Sequence, residues 1–80
     1  MEFKKAYAMR IIQLLKENNI STYRLSSLSG IPHSTLSMIL TGATKNPRSL
    51  TTLNVCRGLD ISLANFYDSP LFSNDNLDDD

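Results

Sequence analysis

The chain predicts an all-α fold of five short helices, with a tight helix–turn–helix between the second and the third. Three observations carry that prediction. The segment Ile20–Gly42 holds two apolar-periodic stretches, Leu25 and Leu28 before Gly30, then Leu36, Ile39 and Leu40 after it. Only two helices joined by a tight turn bring both sets of side chains into one small core. No stretch alternates apolar and polar residues as a half-buried strand would, and glycine, proline and the pair Asn18-Asn19 break the chain at short intervals.

The first helix is expected from about Glu2 to Glu17, with Tyr7, Ile11, Leu14 and Leu15 as its apolar stripe. Asn18-Asn19 ends it. Ser21 is an N-cap candidate for the second helix, and Ile20 and Leu25 stand at the positions of a hydrophobic staple around it. Gly30 ends that helix, because the left-handed backbone of a helix C-terminus is cheap for glycine. Pro32 opens the third helix, where a missing N–H costs nothing, and Thr41-Gly42 closes it. Pro47 keeps the segment Ala43–Arg48 a loop. A fourth helix from about Ser49 to Gly58 is expected to bury Leu50, Leu53 and Cys56. A short fifth one, Ser62–Tyr67, presents Leu63, Phe66 and Tyr67 before Pro70 stops it.

Eighty residues with 41% hydrophobic content suffice for one small core. A lone cysteine, Cys56, cannot staple the chain, so nothing asks for an oxidising compartment. No apolar run approaches the roughly 20 residues that span a bilayer, and the N-terminal segment lacks the apolar stretch of a signal peptide. A cytoplasmic protein is expected, with no membrane partner. The formal net charge is zero, yet it is unevenly spread. Residues 1–74 carry eight cations against four anions, and the last six, DNLDDD, carry the remaining four aspartates. The folded part is therefore mildly basic, and residues 73–80 are expected to form an acidic, disordered tail.

The residues exclude several chemistries. His33 has no cysteine or second histidine near it in sequence, so no metal site is expected. The serines Ser26, Ser27, Ser29, Ser34 and Ser37 have no base beside them and suit surface, cap and groove positions. No phosphate-cradling glycine loop or cofactor pocket is legible. The chain is read as a non-enzyme without a cofactor. At about 100° per residue, Leu36, Ile39 and Leu40 set the inward side of the third helix. Ser34, Ser37, Met38 and Thr41 then point outward, with His33 at the N-terminal edge.

The run Ile20-Ser21, Leu25, Gly30-Ile31, Ser34-Thr35-Leu36-Ser37, Ile39, Gly42, Asn46-Pro47 and Gly58-Leu59-Asp60-Ile61-Ser62-Leu63, in order and without gaps, resembles the Cro/repressor-type helix-turn-helix family of transcription regulators. The likeness extends from about Arg10 to Tyr67. It implies a compact, lambda-repressor-like five-helix domain, here residues 1–72, with double-stranded DNA as ligand and a two-fold homodimer. Two positions depart from the family pattern. Leu15 and Leu40 stand where the family often pairs Arg with Glu, and a hydrophobic pair can replace a buried ion pair at little cost. Thr22 stands where a glutamine is common.

The resemblance assigns the outward residues. His33, Ser34, Ser37 and Met38 are expected to meet base edges, since the first turns of such a helix enter the major groove. Serine donates or accepts, and methionine can lie against a thymine methyl. Thr22 and Tyr23, at a helix N-terminus that favours anions, together with Thr41, Lys45, Asn46 and Arg48, are expected on the phosphate backbone. Phe66, Tyr67, Leu71 and Phe72 are expected to form the dimer interface. The leading function is a small DNA-binding regulator acting as a repressor. The alternative is a protein-interaction module, such as an antitoxin or an antirepressor, engaging a protein partner.

Overall fold

The computed structural model describes residues 1–78. Five α-helices follow one another: α1 (Phe3–Asn18), α2 (Thr22–Ser29), α3 (His33–Leu40), α4 (Ser49–Leu59) and α5 (Leu63–Tyr67), and a single 3-10 turn follows at Pro70–Phe72. Among the described residues there is no strand. The all-α, five-helix expectation holds, and the helix bounds agree with it to within about two residues.

Local chemistry sets those bounds. The Ser21 hydroxyl accepts from the Arg24 N–H at 3.1 Å, and the Ser62 hydroxyl accepts from the Asn65 N–H at 2.9 Å, so each satisfies an otherwise orphaned helix donor. α1 and α4 stop in the same way. Asn19 (φ 54°) and Asp60 (φ 55°) turn left-handed, which short polar side chains tolerate. The next residue then closes back on the helix, Ile20 N–H to the Leu15 carbonyl and Ile61 N–H to the Cys56 carbonyl, both at 3.0 Å.

The core joins Tyr7, Ile11, Leu14 and Leu15 of α1 to Leu25, Ile31, Leu36, Ile39, Val55, Cys56 and Phe66. α1 packs on α3, and α2 packs chiefly on α4. The second of these contacts needs Gly58, where an added Cβ would lie 3.1 Å from the Ser29 nitrogen and 3.2 Å from the Leu28 carbonyl carbon. Leu15 is buried, Leu40 is half-buried against the same cluster, and both line one open depression with Ile12 and Ile20.

Several apolar assignments are corrected. The buried face of α4 is Thr52, Val55 and Cys56, while Leu50 is 63% exposed and Leu53 only half-buried. Spacing by threes drifts around a helix of 3.6 residues per turn, and the true face keeps three-and-four spacing. Thr52 escapes notice because it is polar. It is buried because its hydroxyl bonds the Tyr7 hydroxyl at 2.8 Å, satisfying both groups. Leu28, expected in the core, is exposed because Gly58 brings α4 against the α2 backbone itself.

Arg10 is legible in sequence only as a surface cation, yet it is buried. Its Nε donates to the Phe66 carbonyl at 2.7 Å and its Nη2 to the Asn65 carbonyl at 2.8 Å. A cation thus satisfies carbonyls at the end of α5 and ties that helix to α1.

The C-terminal end differs from expectation in two ways. Phe66 is fully buried and cannot belong to a dimer surface. Phe72 folds back so that its ring centroid lies 5.0 Å from Tyr67 and 6.0 Å from both Phe3 and Phe66. Phe72 and Leu71 are half-buried, and this turn covers α1 as a lid. Residues 73–78, expected to be free, are attached. The Asn76 amide donates to the Leu71 carbonyl at 2.7 Å, and the Asp78 N–H to the Met1 carbonyl at 2.9 Å. Asp79 and Asp80, the rest of the expected tail, lie outside the described residues.

Candidate nucleic-acid interface

The turn between α2 and α3 sets the orientation of the outward face. Gly30 adopts φ 75°, and its N–H bonds the Ser26 carbonyl at 3.0 Å. Two serines then lock the following residue. The Ser26 hydroxyl donates to the Ile31 carbonyl at 2.6 Å, and the Ile31 N–H donates to the Ser29 hydroxyl at 3.2 Å. Ile31 is thereby held in the core, and the start of α3 is fixed relative to α2. These two serines serve the turn, a role that composition alone could not assign.

α3 divides as its periodicity predicts. Leu36 and Ile39 are buried, whereas Ser34, Ser37 and Met38 are exposed, Met38 by 51%. These three outward side chains have room to meet a ligand. The helix ends where Gly42 (φ 82°) turns the chain and the Ala43 N–H bonds the Met38 carbonyl at 2.9 Å. The Thr41 hydroxyl donates to that same carbonyl at 3.3 Å. A phosphate bond from Thr41 therefore requires giving up an internal one.

His33 is half-buried, and the reason lies on α2. Its imidazole stacks on the Tyr23 ring with centroids 3.8 Å apart and planes 7° from parallel. Tyr23 itself is 72% exposed. By sequence these residues take separate roles, on phosphate and on base, whereas the structure joins them. Ten positions apart on different helices, they carry no local signal of the contact. Thr22 beside Tyr23 is half-buried at the α2 N-terminus.

Lys45, Asn46 and Arg48 are exposed in the loop after α3. Lys45 and Asn46 share one depression with Glu2, Phe3, Lys4 and Asp78. An acidic side chain near the C-terminus thus borders the basic loop. Among the described residues no helix is long and apolar enough to cross a membrane, and no cluster of three or more His, Cys, Asp or Glu side chains is placed to hold a metal ion. Cys56 is buried in the core, and burial pushes its thiol pKa up, away from the reactive thiolate.

The outward face of α3, the N-terminus of α2 and the loop after α3 are thus exposed parts of one helix–turn–helix unit. Residues 10–68 match the family model described as the Cro/C1-type HTH DNA-binding domain. The match spans most of the chain and includes both helices of the unit. No curated protein and no solved structure matches the chain. The chain belongs to the Cro/C1-type helix-turn-helix DNA-binding family.

Proposed function

From this family membership we propose a sequence-specific DNA-binding regulator that seats α3 in the major groove of an operator duplex and represses by occupying it. One observation carries the reading. α3 buries Leu36 and Ile39 and leaves Ser34, Ser37 and Met38 exposed, on a helix whose start is pinned by the Gly30 turn. His33, Ser34, Ser37 and Met38 meet base edges. Thr22, Tyr23, Lys45, Asn46 and Arg48 hold phosphates, with Thr41 as a further candidate once its internal bond opens. Neither arginine nor an amide side chain stands in the first turn of α3, so the bidentate readers of guanine and adenine are missing there. Discrimination then rests on serine, methionine and histidine, aided by DNA shape.

Two copies would bind as a two-fold pair with their recognition helices about 34 Å apart. With Phe66 buried and Phe72 folded back, the exposed apolar side chains at this end include Leu63 and Tyr67, with Phe3 beside Phe72. Two half-sites on one duplex bring two chains side by side, so pairing accompanies DNA binding. The protein works in the cytoplasm beside the DNA it binds.

Duplex binding at increasing salt tests the reading. The wild type should lose affinity steeply. Alanine at both Lys45 and Arg48 should flatten the slope of log K against log salt by about 0.9 for every phosphate that is no longer neutralised. The same double variant should weaken specific and random duplexes alike. Unchanged affinity at both low and high salt would remove the loop from the interface.

A further inference from the structure

We propose that Tyr23 is a positioning residue for DNA recognition, its ring fixing the plane of the His33 imidazole so that the two form one reading unit. This inference rests on the groove-binding role of α3. His33 is the first residue of α3, with no preceding helical turn to restrain its side chain. The Tyr23 ring lies on one face of it, 3.8 Å away and within 7° of parallel. Rotation about the Cα–Cβ torsion would break that stack, as would any rotation about Cβ–Cγ short of the half-turn that restores the same ring plane.

A face-to-face contact leaves the ring edge free. Both imidazole nitrogens lie in the ring plane and remain able to donate or accept. Binding then begins with His33 already ordered, which removes part of the entropic cost of immobilising it at the interface. The two parts of Tyr23 separate by function. Its hydroxyl is a phosphate donor, which sets affinity for any duplex. Its ring acts through His33, which sets preference between duplexes.

The test compares wild type, Tyr23→Phe, Tyr23→Ala, His33→Ala and the double alanine variant. Each is measured on the duplex selected by the wild type from a random library and on a random duplex. Thermal melting confirms folding, which the exposure of Tyr23 favours. In the free protein, the His33 ring-proton resonances should lie upfield, in the shielding cone of Tyr23, in wild type and Tyr23→Phe, and should return downfield in Tyr23→Ala.

Tyr23→Phe should keep the ratio of selected to random affinity. Tyr23→Ala should cut that ratio by about three- to tenfold, in line with the coupling typical of aromatic pairs. In the His33→Ala background the Tyr23→Ala change should leave the ratio where it is. Equal losses from Tyr23→Ala on both duplexes, or the same loss with and without His33, would overturn the proposal and make Tyr23 an independent phosphate ligand. A Ser34→Ala/Met38→Ala variant separates the positioning role from the groove role. If it changes the selected sequence while Tyr23→Ala does not alter the ratio, only the positioning role fails. If it recovers the wild-type sequence, and the His33→Ala variant does too, the groove role of α3 fails with it.

Discussion

Arg10 Nε donates to the Phe66 carbonyl at 2.7 Å, and through this bond a buried cation on the first helix holds the end of the last. The neighbouring bond from Nη2 to the Asn65 carbonyl makes the contact two-pronged, a geometry that the single ammonium of lysine does not reproduce. Arg10→Ala strands the Phe66 carbonyl, leaves the Asn65 carbonyl only its bond from the Asp68 N–H, and should cost about 2–4 kcal/mol. Arg10→Lys should recover less than half of the loss. Urea unfolding of the three proteins checks both. A lysine variant as stable as the wild type would show that charge alone suffices.

The buried Tyr7–Thr52 pair predicts an alkaline limb. Burial, partly offset by the Thr52 hydrogen bond, pushes the Tyr7 phenol up from 10.0 to about 12. A raised folded-state pKa means that the unfolded chain releases this proton first. Stability is therefore full below about pH 10 and falls as pH rises from about 10 to about 12. Tyr7→Phe should be less stable at neutral pH, because Thr52 loses its 2.8 Å bond and keeps only the longer one to the Tyr67 hydroxyl at 3.4 Å, but should lose part of this alkaline decline. Denaturant titration across that range measures it, and identical pH profiles would exclude Tyr7 as its source.

Gly58 sits against backbone, which cannot swing aside as a side chain can. Gly58→Ala should push α4 away from α2 and destabilise by roughly 1–3 kcal/mol, despite alanine's better helix propensity. A neutral or stabilising result in thermal melts would mean that the two helices separate without cost.

Assembly should depend on DNA. Sedimentation should show a single chain in free solution and two chains on an operator, with Leu63→Lys, at an exposed side chain, weakening cooperative occupancy and sparing the fold. A single chain per site would rule out the dimer.

Much of this architecture is legible in the residues, for physical reasons that can be named. Ser21, Gly30 and Ser62 act through bonds between near neighbours, and such local signals survive in sequence. The inward leucines of α3 follow a strong period over a short helix. What stays hidden depends on distant partners. Arg10 reads as solvent-exposed until the carbonyls of α5 arrive, and Thr52 reads as surface until Tyr7 meets it. Leu50 looks buried because a run of threes imitates a helix face for one turn, and Phe66 looks available because nothing local shows Phe72 folding back. At the site, the outward position of Ser34, Ser37 and Met38 is readable, but the stack of His33 on Tyr23 is not.

The most direct test of α3 as the reading helix is selection from a random duplex library by the wild type and by a variant with Ser34, Ser37 and Met38 replaced together. The wild type should select a defined preferred sequence and the variant a different or degraded one, with random-duplex affinity changed far less. Recovery of the same sequence by both proteins would contradict this, because the outward face of α3 would then not be what reads the DNA.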